Sequence, residues 1–185
     1  MRHFLRPSLL VCLLLALPQN TLADSYPTPA AIKAARAADA LGEQLEEMGY
    51  AVAPLTRMRS GHLVAEVKIN GSEPMRFVCD SGSGATLITP QTSQRLQLQS
   101  EDTGSTAAGV GGQGLQVDSA EISSFQIGGK ALPMEVILVV DISHVNAQFV
   151  VAGEQPIEGI IGSDWMKAHQ VLLDVAHGRM FFKPI

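Results

Sequence analysis

Phe77-Val78-Cys79-Asp80-Ser81-Gly82-Ser83-Gly84-Ala85-Thr86-Leu87-Ile88 is the stretch that decides the fold. An apolar approach stops at a single carboxylate, a Ser/Gly turn follows, and the chain leaves through Leu87 and Ile88. Phe77 to Cys79 suit a buried strand, whereas an aspartate is almost never fully buried without a partner. The N–H and O–H groups of the turn can surround Asp80 and hold its charge. A carboxylate presented by a tight turn at a strand end is more often functional than structural.

Upstream of this stretch the apolar pattern has period two. Leu63, Ala65, Val67 and Ile69 alternate with Val64, Glu66 and Lys68, and Asn70-Gly71 is a hairpin turn that returns the chain along Met75 to Cys79. Downstream come a short helix or turn at Pro90 to Leu96, strands within Gln116 to Ile127 and Leu132 to Val140, and a weakly patterned run from Asp141 to Gln155. Ser163 to His169 reads as a short helix with Asp164 as its cap, and Val171 to Val175 with Met180 to Phe182 as a last hairpin around His177-Gly178. Short strands at regular spacing imply an all-β barrel or sandwich. Before it, Pro29 to Met48 has apolar residues at helical spacing, with Thr28 as a cap and Gly49 as a stop, which predicts a helix of about five turns. That helix can be a docked extension, a pro-segment or a dimer arm.

Composition narrows the function. With 185 residues the chain holds one domain with a real core, and a net charge of −5 without any Lys/Arg cluster argues against nucleic acid as a partner. Residues 1–23 read as a signal peptide: Arg2 and Arg6, an apolar run from Leu9 to Leu17, then Thr21-Leu22-Ala23 as the cleavage site. The run is too short for a stable membrane span. The expected product is exported, to the periplasm or beyond, with residues 24–49 as a helical extension and 50–185 as the domain. Cys79 is then its only cysteine and reads as an apolar filler beside Asp80. No Cys/His ligand spacing appears, so neither a metal nor another cofactor is expected.

Two literal motif matches fail on context. Gly109-Val110-Gly111-Gly112-Gln113-Gly114 spells the dinucleotide fingerprint, but that motif needs a helix beginning at its last glycine, and Leu115-Gln116-Val117-Asp118 reads as strand. Cys79-Asp80-Ser81-Gly82-Ser83 partly resembles the GDSGG of chymotrypsin-like proteases, which need two six-stranded barrels and a suitably placed His and Asp.

The third match fits its context. Asp80-Ser81-Gly82-Ser83, after a strand and before Thr86-Leu87-Ile88, resembles the active-site turn of aspartic proteases. Downstream, Ile160-Ile161-Gly162 within Glu158 to Met166 is similar to the apolar-apolar-Gly signature of the retropepsin-like members, both retroviral and bacterial. The resemblance covers roughly residues 50–185. It implies a single aspartic-protease lobe, a closed or partly open β-barrel with short helices. It further implies an endopeptidase in which Asp80 pairs with its mate in a homodimer. Ser81 would then hydrogen-bond across the dimer and Gly82 would contact a peptide substrate, with Ser83 completing the turn. A flap would close over the cleft, for which Gly109, Gly111 and Gly112 are the candidates, since glycine-rich hairpins suit a lid. The alternative is the same fold without catalysis, serving as a binding or assembly module in the cell envelope.

Overall fold

The computed structural model describes residues 29–109 and 112–185. The expected signal peptide, the Thr28 cap, and Val110 and Gly111 next to or within the flap candidate lie outside the described residues. The chain divides into two units, residues 1–37 and 38–185, with the boundary inside helix α1 (Pro29–Glu47). Of the first unit, only the opening of that helix is described.

The second unit begins with the remainder of α1. It stops where expected: Gly49 takes φ +83°, and the Tyr50 N–H returns to the Leu45 carbonyl at 2.9 Å. Only one side of this part is covered, with Leu45 buried while Leu41 and Met48 stay exposed.

Strands β1 (Ala51–Arg57), β2 (Leu63–Ile69) and β3 (Met75–Cys79) form an antiparallel run. Asn70 and Gly71 both have positive φ, +52° and +72°, as the hairpin between β2 and β3 requires. Asn70 also accepts from the Ser123 and Ser124 backbone N–H groups, fixing a distant corner onto this turn.

Beyond β3 lie β4 (Leu87–Ile88), α2 (Pro90–Arg95), the long hairpin β5 (Ser100–Gly109) and β6 (Gly112–Glu121), then β7 (Phe125–Ile127), β8 (Lys130–Leu132) and β9 (Val136–Val140). The chain closes with α3 (Ser143–Val151), β10 (Gly159–Ile161), α4 (Ser163–Ala168), β11 (Leu172–Asp174) and β12 (Arg179–Phe182). The sheet order is β11-β12-β1-β2-β3-β10-β4-β9-β6-β5, with β7 and β8 attached through β2. The all-β expectation with short helices holds, in its open rather than closed form, because β11 and β5 end the sheet without pairing to each other. The weakly patterned run after Asp141 contains α3, whose apolar residues do not fall on one face: Phe149 is buried while Val150 and Val151 are exposed.

The centre of the sheet is β10, parallel to β3 (Ile160 beside Val78) and antiparallel to β4 (Ile160 beside Leu87). Alternation sends Phe77, Ile88 and Ile161 into one hydrophobic cluster and Val78, Leu87 and Ile160 into another. Burial on both faces explains why these three strands read as unbroken apolar runs. The same second layer accounts for Val64, which is buried although the alternation of β2 places it opposite the Leu63 face.

Candidate active site

Asp80 stands where β3 leaves the two clusters. Its backbone N–H donates to the Ile161 carbonyl at 3.0 Å, continuing the β3–β10 ladder by one rung. Its carbonyl accepts the Ser83 N–H at 3.1 Å, which closes the turn, and its Oδ1 accepts the Gly82 N–H at 2.8 Å. The half-buried carboxylate is thus oriented by the backbone of its own turn. A Cβ on Gly82 would lie 3.1 Å from Oδ1, so the absence of a side chain there lets the amide approach. Ser81 and Gly82 are exposed and Ser83 is half-buried, its hydroxyl donating to the Ala85 carbonyl at 2.8 Å.

The second signature builds the other wall. Ile160 and Ile161 are core residues of β10, and Gly162 packs against the peptide of Ala85 so closely that a Cβ would meet its carbonyl carbon at 2.3 Å. The Ser163 N–H donates to the Ser83 carbonyl at 2.8 Å and the Gly162 N–H to Thr86 Oγ1 at 3.0 Å. Asp164 is not the helix cap that the sequence suggests: Gly162 takes that position and Asp164 lies inside the first turn. α4 begins one residue earlier, at Ser163, and Asp164 accepts the Thr86 N–H at 3.0 Å and the Thr86 hydroxyl at 2.8 Å. Thr86 is buried, so this bond couples the turn's exit to the second signature. The sequence motifs point to both segments but not to this pair, whose members are 78 positions apart.

Of the flap candidate, Gly109 ends β5 and Gly112 begins β6 on the β5–β6 hairpin. Gly109 and Gly112 face each other across it. Its lower part is anchored: Val117, with Ala107 and Leu115 beside it, packs on the cluster that contains Val78, Leu87 and Ile160. The hairpin therefore rises from the same layer that flanks Asp80.

Cys79 adjoins the site without joining it. Burial pushes its thiol up to about 12, outweighing a backbone hydrogen bond involving Ala65 that lowers it, so the thiol stays protonated and unreactive at neutral pH. Among the described residues no group of three or more His, Cys, Asp or Glu is placed to hold a metal ion. None of the described helices is long and apolar enough to cross a membrane. A cavity of about 500 Å³ is lined by Arg76, Thr89 and Glu158 among others and does not include Asp80.

These features define an open β lobe that presents one oriented carboxylate on a turn clamped between three strands. The aspartyl protease family model matches residues 65–165, more than half of the chain, and the chain belongs to that family. Three solved structures are similar in fold. The retroviral protease-like domain of Ddi1 from Leishmania major is 20% identical, with a TM-score of 0.47 over 67% of this chain and 90% of that one. A retropepsin-like aspartic protease from Rickettsia conorii is 14% identical, with a TM-score of 0.48 over 72% and 90%. The EIAV protease complexed with the inhibitor HBY-793 is 22% identical, with a TM-score of 0.45 over 61% and 92%. No curated protein sequence matches the chain.

Proposed function

We propose that the protein is an exported aspartic endopeptidase that works as a homodimer, each copy supplying one Asp80. The observation that carries this reading is the orientation of Asp80 by the Gly82 amide at the end of β3, on a turn locked to Gly162 and Asp164.

Two such carboxylates brought together across a two-fold axis cannot both ionise easily, and they share one proton. The ionised one takes a proton from water as the water oxygen attacks the scissile carbonyl carbon. The protonated one gives its proton to the carbonyl oxygen, and a tetrahedral diol forms. Collapse of the diol breaks the C–N bond: one diol hydroxyl returns a proton to the Asp80 that gave one up, the other Asp80 gives its proton to the nitrogen, and the amine leaves with the dyad restored. In this scheme the Gly82 amide keeps the Oδ1 lone pair oriented, and Ser81 bonds across the dimer beneath the dyad. The tip at Gly109 to Gly112 closes over the cleft and excludes water.

A second reading follows from the same count. The Asp80-Ser81-Gly82 turn is half a dyad, and the chain's other Asp-(Ser/Thr)-Gly sequence, Asp102-Thr103-Gly104, lies within β5 at the end of the sheet order, away from the central strands, so a copy that stays monomeric would be a binding module of the same fold.

Sedimentation of the mature protein alongside a peptide-cleavage assay separates the two. The endopeptidase reading expects a dimer and cleavage that Asp80→Asn abolishes while the circular dichroism spectrum is unchanged. A strictly monomeric protein with no turnover supports the binding module, and cleavage retained by Asp80→Asn sinks the proposed dyad.

A further inference from the structure

The cavity of about 500 Å³ lies at the opposite end of the strands that deliver the site. Arg76 is four residues before Asp80 on β3, about 13 Å along an extended strand. Glu158 immediately precedes β10 and Thr89 immediately follows β4, so one cavity collects the far ends of the same three strands.

Its charges do not balance locally. Arg76 and Arg95 bring two cations, and Glu158 is the one carboxylate among the described lining residues. Glu158 is already engaged: Oε2 accepts the Arg76 backbone N–H at 2.7 Å, and Oε1 takes Nη1 and Nη2 of Arg95 at 3.3 and 3.4 Å. Among the described residues the Arg76 guanidinium has no such partner. Its Nε is buried without a hydrogen bond, and Glu66, opposite it in the β2–β3 register, forms no ion pair with it. An unpaired, partly buried guanidinium is costly, and an anion against its accessible edge offsets that cost. The Nη groups of Arg76 have no hydrogen bond among the described residues and, unlike Nε, are not buried, so the outer edge of the guanidinium is a fork that matches two oxygens of a carboxylate or phosphate. Ile157 and Pro156 add an apolar wall, and the volume lies in the range of small-molecule sites.

We propose that this cavity binds a small molecule bearing a carboxylate or phosphate head, with Arg76 as its principal anchor and Arg95 as the second. The site is distinct from the Asp80 turn and independent of whether the protein cleaves peptides.

Calorimetric titration of the full chain tests this, using inorganic phosphate and acetate separately at constant ionic strength, with acetamide as the uncharged control. The expected result is saturable binding of one or both anions, weakened about ten-fold by Arg76→Gln and in the same direction by Arg95→Gln, with no response to acetamide. The tighter of the two probes identifies the head group as phosphate or carboxylate. Absence of saturation with either anion overturns the proposal, as does unchanged affinity in a folded Arg76→Gln protein. If Arg76→Gln fails to fold, Arg95→Gln decides. Its side chain is 55% exposed and dispensable for packing, and unchanged affinity there is equally fatal.

Discussion

Asp164 holds Thr86 by both its backbone N–H and its hydroxyl, at 3.0 and 2.8 Å, although 78 positions separate the two residues. Thr86 Oγ1 in turn accepts the Gly162 N–H, so one buried hydroxyl joins the exit of the Asp80 turn to the segment that walls it. A satisfied network of this kind fixes a single geometry, and removing one member strands the others.

Asp164→Ala is therefore expected to cost about 2 kcal/mol, because the Thr86 donors lose their acceptor inside the protein. Asp164→Asn should cost roughly half as much, since its amide oxygen still accepts one donor while its NH₂ opposes the other. Urea unfolding of the two variants checks the order. Equal and negligible losses would show that water replaces the carboxylate.

The glycines around the site should separate sharply on alanine substitution. A Cβ at Gly162 meets the Ala85 carbonyl carbon at 2.3 Å, and one at Gly159 meets the Phe77 ring at 2.4 Å and the Leu87 carbonyl oxygen at 2.5 Å. Both contacts involve groups fixed in the central strands, so Gly162→Ala and Gly159→Ala should each lose about 3 kcal/mol or more. A Cβ at Gly84 would have nothing within 4 Å, and its φ is not positive, so Gly84→Ala should be neutral or gain about 0.5 kcal/mol. Thermal melts of the three variants test the contrast.

Much of this was legible in the sequence because it is local. The Asn70-Gly71 turn, the strand ending at Cys79 and the glycine stop of α1 each follow from a few adjacent residues. The Asp80 turn and Ile160-Ile161-Gly162 were recognisable as two segments, but the register that seats β10 between β3 and β4 was not, since nothing local states which strands are neighbours. Asp164 shows the same limit: at a helix start it looks like a cap, and only the tertiary fold brings Thr86 to it. α3 stayed hidden because its apolar residues point both inward and outward, so no helical stripe marks it.

Acid should loosen the C-terminal hairpin through Asp174. Burial is the largest influence on Asp174 and pushes its carboxyl up. The side-chain bond from Arg179 and those from His177 together outweigh it and bring the value from 3.8 down to about 2. Arg179 Nη2 lies 2.6 Å and His177 Nδ1 2.8 Å from this carboxylate. A depressed folded-state value means that the stabilisation is fully present above the unfolded value and disappears as pH falls through the folded one. The melting temperature should decline between pH about 3.8 and about 2 with a component that Asp174→Asn removes. An identical pH profile in the variant would deny the pair any net contribution.

Cys79 offers a direct probe of how firmly β3 is held against β10 next to Asp80. Its thiol, pushed up to about 12 by burial, has almost no thiolate at pH 8, and reaction with an alkylating reagent requires both exposure and ionisation. Labelling of Cys79, followed by peptide mass analysis so that Cys12 is read separately, should therefore be at least about a hundred-fold slower in the native protein than in urea. Gly162→Ala should erase most of that protection, since the clash at Ala85 separates the two segments that enclose the strand end. Asp80→Asn should leave it intact, because Asp80 is held there by its backbone N–H on Ile161 and not only by its carboxylate. Rapid labelling of the native wild-type protein would mean that the β3–β10 ladder opens at the point where the carboxylate must be held still.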